Sequence, residues 1–411
     1  MGKKNSLLLF TASFPYGNKS ETFLETEITF LAQHFEYIYI IPAYKESEQI
    51  RPIPQNATLV NIILDRAKKT GKQTLFANLG RVFCVYFFSL TSSVSNFNFY
   101  TKRLKYYLPR LIGEVEYLES IATFIEKKQL KDAIFYTYWF EYFLTGLSIL
   151  KKEGKIKHLY SRAHRFDLYD EINNGLPISF RDFKLKHVDK VFCISKHGQH
   201  YLQSKIDESL HNKVDISYLG VYASANNATP NEQLIPLIVS TSSMIPFKRV
   251  DLIARTLNRI TVPLRWVHFG NGTEFGNIEA ICKTFPPHIS WTLAGHVDNS
   301  AVLSFYKENS VNLFINLSES EGLPVSMMEV LSFGIPIIAC NVCGIPEIVI
   351  NGKTGVLLNV NEKEESIGKK IEEALAFPFN RKDIISFFNA NFEATKNYTS
   401  FAKSIQNEDV V

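Results

Sequence analysis

The sequence predicts an α/β protein built from two consecutive doubly wound domains. Three observations carry that prediction. Short runs of β-branched and aromatic residues alternate with helical patterns almost throughout, as βαβ units around a parallel sheet require. At 411 residues the chain exceeds the length, about 250–300 residues, beyond which single cores stop growing. The stretch ASANNATPNEQLIP (223–236) lacks periodicity and separates two blocks of the same alternation, as a linker would.

In order, LLLFTASF (7–14) reads as a strand, ETFLETEITFLAQHF (21–35) as an amphipathic helix and YIYIIPAY (37–44) as a strand. Residues 66–131 change character, with two long helical segments and little strand signal. AIFYTYW (133–139), HLYSRAH (158–164) and KVFCIS (190–195) resume the strands, each followed by a helical pattern. Past the linker come PLIVSTSSM (236–244), a helix from Arg249, LRWVHFG (264–270), a helix from Thr273, ISWTLAG (289–295) and VNLFINL (311–317). A helix from Pro324, IPIIAC (335–340), GVLL (355–358), a charged helix (363–376) and a helical tail (381–405) complete the chain. The expected domains are 1–222 and 223–385, with 386–411 returning to the first.

Composition is that of a globular protein, 45% hydrophobic and 21% charged, which excludes disordered and collagen-like classes. The net charge of +4 divides unevenly: residues 1–220 hold 30 Lys and Arg against 22 Asp and Glu, whereas 221–411 hold 15 against 19. A basic first half and an acidic second half imply different partners. Five scattered cysteines fit a reducing compartment and no disulfide framework. The opening MGKKNSLLLFTASF has an apolar run too short for a leader, and no stretch reaches the roughly 18–20 apolar residues of a membrane span, so a cytoplasmic location is expected.

Chemistry concentrates in SESEGLPVSMMEVLSFG (318–334). Pro324 suits a first helical turn and Gly334 a left-handed stop, so Glu321 lies in a strand-to-helix loop at the carboxyl edge of a sheet, where open α/β folds bind ligands. The N–H groups of about residues 322–326 offer a partial positive charge suited to phosphate. A carboxylate beside an anion is repelled, so Glu321 is expected to meet neutral hydroxyls, and Glu329 a second set. Two acids bracketing a phosphate site suggest a reader of a sugar–diphosphate–ribose unit, although a generic acid pair is more often a loop charge and a solvated helix residue.

EGLPVSMME is similar to the E-x7-E motif of the GT-B retaining glycosyltransferases of family 4. The resemblance continues through SFGIPIIACNVCGIPEIVINGKTGVLL, PFKRVDLIARTL (246–257), HFGNGTEF (268–275) and LAGHVDNSAVLSFYKENSVNLFINLSES (293–320). In the first half, TASFPYGNKSETFLETEI and YSRAHRFDLYDE look like the bacterial polysaccharide-biosynthesis branch. The resemblance implies two Rossmann-like domains facing a central cleft and a C-terminal helix crossing back. It implies that Glu321 contacts donor-sugar hydroxyls, Glu329 the ribose, and the Gly322, Leu323, Pro324 and Val325 backbone the sugar and diphosphate. Lys248, with Arg249 assisting, would neutralise the leaving diphosphate; His164 would lie near the donor sugar, Gly17 at the phosphates, and His296 and Val297 beside the base. The family's usual arginine slot five positions before the lysine is Ser243 here.

The implied partners are a UDP- or GDP-sugar donor and a saccharide or lipid-linked acceptor; no nucleic acid and no essential metal or other cofactor are expected. No Asp-x-Asp occurs in the chain. Aromatics interleaved with Lys102, Arg103, Lys105 and Arg110 suggest that residues 80–111 rest on an anionic membrane. The rival reading, motivated by Ser243, is a non-catalytic subunit that binds donor or scaffolds a partner glycosyltransferase.

Overall fold

The computed structural model describes residues 5–17, 21–64, 71–91, 100–173, 175–224 and 235–406. The chain divides into two compact units, Met1–Ser217 with Tyr398–Val411, and Tyr218–Asn397. Each is a parallel α/β sheet of the Rossmann-like kind that the alternation predicts.

In the first unit β1 (Ser6–Thr11), β2 (Tyr37–Pro42), β3 (Ala57–Leu59), β4 (Ile134–Thr137), β5 (His158–Ala163), β6 (Lys190–Cys193) and β7 (Val214–Ile216) lie in the order β3-β2-β1-β4-β5-β6-β7. All pairs are parallel. The central strands are buried on both faces, which is why Leu7, Leu9, Ile38, Ile40, Ile134 and Tyr136 form a near-continuous apolar set. Leu24, Ile28 and Leu31 of the Leu24–His34 helix cover that core, and Phe401, Ala402 and Ile405 of the Ala394–Gln406 helix complete it.

The second unit orders β8 (Leu237–Thr241), β9 (Leu264–Phe269), β10 (Ile289–Leu293), β11 (Val311–Asn316), β12 (Ile337–Cys340) and β13 (Gly355–Leu358) as β10-β9-β8-β11-β12-β13. The strand order reverses between β1 and β4 in one sheet and between β8 and β11 in the other, and the crevice outside such a switch point is where doubly wound sheets bind ligands.

Three expectations change. Among the described residues the helical region before β4 holds four shorter helices, Gly71–Ala77, Leu79–Thr91, Leu104–Val115 and Leu118–Lys128, and a helical turn at 100–102, not two long ones; residues 65–70 and 92–99 lie outside the described set. The tail breaks into Arg381–Asn391 and Ala394–Gln406. Residues 218–222 join the second unit because Val221 pairs with Glu393 and a Cβ on Gly220 would come 2.6 Å from the Ala394 Cα. Most of the linker, 225–234, is outside the described residues.

Candidate functional site

In the second unit the loops after β8 and β11, on either side of the switch point, converge. Pro246–Lys248 forms a single tight turn, and Glu319 N–H donates to the Phe247 carbonyl at 2.9 Å, tying the two loops together. The result is a 2.6 Å ion pair from Lys248 Nζ to Glu321 Oε1, with the Asn316 amide donating to the same oxygen at 3.4 Å. Glu321 is only 6% exposed. Asn316 is a polar terminus to the apolar strand VNLFIN, a signal the sequence reading passed over.

The helix after this loop runs Val325–Ser332, with Pro324 one step earlier than expected, at the N-cap. Met327 and Met328 N–H bond back to the Pro324 carbonyl, so the N–H groups ahead of them are the ones the helix itself cannot satisfy. Gly334, at φ +70°, closes the helix as predicted. Gly322 and Leu323 are buried, Pro324 and Val325 half-buried. Glu329, 8% exposed, accepts from the Asn299 amide at 3.0 Å. Burial pushes its carboxyl up to about 7, against the opposing pull of Asn299. Asn299 was also not foreseen. His296 is exposed and Val297 half-buried in the segment just after β10, and Ser243 is exposed in the loop after β8.

Arg249 has a different task from the one expected. Its guanidinium donates to the Leu317 and Val360 carbonyls at 2.7 and 2.8 Å and to Cys340 Sγ at 3.2 Å. With its donors so committed it braces the strand ends that carry Glu321. The GNG sequence after β9 serves the same loops: at φ +142°, a Cβ on Gly270 would lie 1.8 Å from the Ser242 carbonyl oxygen, so only glycine lets the Lys248 loop approach this closely.

His164 and Gly17 belong to the first unit. His164 directly follows β5 and is 5% exposed; its backbone N–H donates to Asp167 Oδ1 at 2.7 Å, while neither ring nitrogen has a hydrogen-bond partner among the described residues. The ring lies 4.6 Å from Trp139 and 4.8 Å from Tyr138, centroid to centroid. Burial, then the Arg162 charge, holds the imidazole pKa well below its usual value, so it is a neutral hydrogen-bonding group at pH 7. Gly17 answers a local need: φ is +78°, and a Cβ would come 2.5 Å from the Glu46 carboxylate. The loop's Ala12, Ser13 and Phe14 N–H groups donate to the Glu21 carboxylate at 2.7–2.8 Å, so the anion they hold belongs to the chain. The sequence reading did not assign Glu21.

Lys102, Arg103, Lys105 and Arg110 are all exposed, at, just before and within the Leu104–Val115 helix, and Arg110 makes further contacts. It stacks 4.1 Å over Tyr106 and lines a cavity of the first unit. Among the described residues no helix is long and apolar enough to cross a membrane.

Residues 227–405 match the family described as Glycosyl transferases group 1. An uncharacterized glycosyltransferase of Methanocaldococcus jannaschii is 27% identical over 226 residues, 55% of this chain and 60% of that protein. The O-antigen biosynthesis glycosyltransferase WbnH of Escherichia coli is 26% identical over 291 residues, 64% of this chain and 80% of its own. Among solved structures, the apo lipopolysaccharide outer core galactosyltransferase WaaB superposes with a TM-score of 0.68 at 14% identity, covering 97% of this chain and 99% of WaaB. Anabaena HepE in complex with UDP-glucose gives 0.62 at 12%, covering 97% and 99%. The fold is GT-B, and these sequence matches are to glycosyltransferases.

Proposed function

We propose that this chain is a retaining, metal-independent glycosyltransferase of family 4 type that moves a hexosyl group from a UDP- or GDP-sugar to an acceptor hydroxyl. The reading places it in bacterial surface polysaccharide or glycolipid assembly, in the cytoplasm. The observation that carries it is the Lys248–Glu321 pair beside the start of the Val325–Ser332 helix, at the switch point of the second sheet. An ammonium and a helix start face the same place, where they can stabilise the charge that grows on a departing diphosphate without a metal ion. Glu321 takes hydroxyls of the donor sugar and Glu329 those of the ribose; His164 contributes a neutral hydrogen-bonding group from the first unit, which takes the acceptor. The acceptor oxygen bonds the anomeric carbon on the face that the phosphate leaves, and its proton passes to the departing phosphate oxygen. That HepE was solved with UDP-glucose supports a nucleotide-sugar donor.

Thermal shift against UDP-, GDP- and ADP-sugars tests the reading, since a ligand present at 100 times its Kd stabilises by about 2.7 kcal/mol. One donor raises the melting temperature and is slowly hydrolysed, and Glu321→Ala abolishes the hydrolysis. Glu329, titrating at about 7, makes donor binding weaken as the pH falls from 8 to 6, and Glu329→Gln flattens that dependence. Tight donor binding without turnover towards any acceptor would favour the scaffold reading instead.

The reading also places the first unit on an anionic membrane surface. On the Leu79–Thr91 helix, Leu79, Phe83 and Phe87 recur at intervals of four and are 56%, 66% and 54% exposed; the two phenylalanine rings stack at 5.5 Å. Each surface cation at Lys102, Arg103, Lys105 and Arg110 adds about 1 kcal/mol near anionic lipid. Reversing all four charges therefore cuts co-sedimentation with phosphatidylglycerol liposomes at least 10-fold, and an unchanged bound fraction removes the membrane from the reading.

A further inference from the structure

At the carboxyl edge of the first sheet one carboxylate gathers two loops. Glu21 Oε1 accepts from the Ala12 N–H at 2.8 Å and from the Trp139 indole N–H at 2.7 Å; Oε2 accepts from the Ser13 and Phe14 N–H groups at 2.8 and 2.7 Å. Three of these donors stand in the turn after β1 and the fourth in the turn after β4, so the side chain spans the β1/β4 switch point. Successive N–H groups in such a turn make an anion site, and here the chain fills it itself. The placement is unfavourable on two counts. Glu21 is 4% exposed, and its φ of +55° is a strained backbone for a glutamate. Strain of this kind gathers at functional sites and persists only where the surroundings impose it.

The fourth donor shows what the strain serves. Trp139 is half-buried, and its ring leads on to His164: the two centroids are 4.6 Å apart with the planes inclined at 46°, and Tyr138 lies against the same imidazole at 4.8 Å. The backbone N–H of His164 is tied to Asp167. Among the described residues neither ring nitrogen has a hydrogen-bond partner, and nor does the Tyr138 hydroxyl. The plane of the imidazole is therefore set by the rings packed on it and not by a hydrogen bond of its own. Of those two rings Trp139 is the one with a polar anchor, and the anchor is Glu21.

We infer that Glu21 is a positioning residue: acting through the Trp139 indole, it fixes the orientation of the His164 imidazole. What that orientation serves rests on the glycosyltransferase reading, in which His164 presents a hydrogen-bonding nitrogen to the donor sugar. In that reading the second unit takes the donor's diphosphate and ribose, so a loosened His164 lowers kcat and leaves the donor KM nearly unchanged.

NMR of the full chain, labelled with carbon-13 in its histidine rings, tests the link without recourse to activity. Glu21→Gly suits the backbone at φ +55° and leaves room for a free carboxylate. It shifts the His164 ring-proton resonances, and millimolar propionate, which replaces the lost side-chain atoms, returns them; propionamide and chloride do not. Glu21→Gln, which sets an NH2 group against two of the four donors, moves the same resonances and stands in where the glycine variant fails to fold. Trp139→Phe keeps a ring but no N–H, and in that background Glu21→Gly moves His164 no further. With the donor that the unmodified chain hydrolyses, Glu21→Gly and Trp139→Phe each lose on the order of 10-fold in kcat, and the double variant loses no more than the slower single one. His164 resonances unmoved in the Glu21 variants, a shift that persists when Trp139 is phenylalanine, or a loss that falls on donor KM with kcat kept overturns the inference. Shifted and rescued resonances in a chain that hydrolyses no donor keep the link and remove the glycosyltransferase reading; hydrolysis with His164 unmoved does the reverse.

Discussion

Replacing Lys248 with alanine lowers sugar transfer about 10²–10³-fold, the usual cost of removing one fixed group that stabilises transition-state charge. The ammonium is placed by structure and not by its own flexibility: the Pro246–Lys248 turn is clamped to Phe247 by Glu319, and Arg249 braces the strand ends behind it. Charge on the leaving diphosphate grows as its bond to the anomeric carbon breaks, so the loss falls mainly on kcat and little on KM. Lys248→Arg keeps the charge but spreads it over a planar fork, and recovers only part of the rate. Arg249→Ala separates the two roles. Its guanidinium is bonded to carbonyls and a sulfur, so its loss reduces stability first and rate only through loosening of the Glu321 loop. Steady-state kinetics with the donor found by thermal shift decide the matter. A Lys248→Ala enzyme within threefold of the unmodified rate would remove the electrostatic role assigned to this residue.

What the sequence makes legible follows from what its patterns report. Apolar periodicity reports burial, and so it finds the central strands of both sheets. It overruns their ends for the same reason: Phe14, Tyr138, Ile194 and Leu317 are as buried as strand residues but sit in the turns beyond the last paired position. Those turns carry the site, so the overrun marks it. Edge strands β3 and β7, three residues each and only partly buried, leave too little pattern to detect. In the helical region, Asn78 and Tyr117 interrupt what reads as continuous helix, because the pattern resumes in phase after each break. Glu321 and Glu329 were legible through spacing and chemistry, and Lys248 through the family resemblance. Their partners Asn316 and Asn299, and the Glu21 carboxylate capping three N–H groups, were not, because a hydrogen bond between residues distant in sequence leaves no periodic trace. The exchange of Arg249 from phosphate contact to brace has the same origin: the sequence shows a cation beside Lys248 but not the carbonyls of Leu317 and Val360 waiting for it.

Arg162→Met costs about 3–5 kcal/mol of stability in the first unit, the range expected when one partner of a buried ion pair is removed. Both Arg162 and Glu27 have fully buried side chains, 3.2 Å apart. The guanidinium also donates to the Tyr136 hydroxyl at 2.9 Å and to the Ser217 carbonyl at 2.9 Å, and it lies 4.3 Å over the ring of Phe401. One side chain thus joins the Leu24–His34 helix, the centre of the sheet, the end of the first segment and the returning C-terminal helix. Methionine fills the space but supplies no donors, leaving the Glu27 carboxyl, Tyr136 hydroxyl and Ser217 carbonyl short of theirs. Burial already pushes the Glu27 pKa up, with the Arg162 charge opposing; without that charge the carboxyl stays protonated further into the neutral range. An acid whose folded pKa lies above its unfolded value contributes stability below the unfolded value, about 4.3, and loses it as the pH rises through the folded one. The variant's deficit therefore grows from pH 5 to pH 8. Glu27→Gln combined with Arg162→Met removes the stranded acid, recovers part of the loss and flattens that slope. Denaturant unfolding followed at the first unit's transition measures all three quantities. A single-variant loss below about 1 kcal/mol, or a double variant no more stable than Arg162→Met alone, would show that the pair does not hold this unit together.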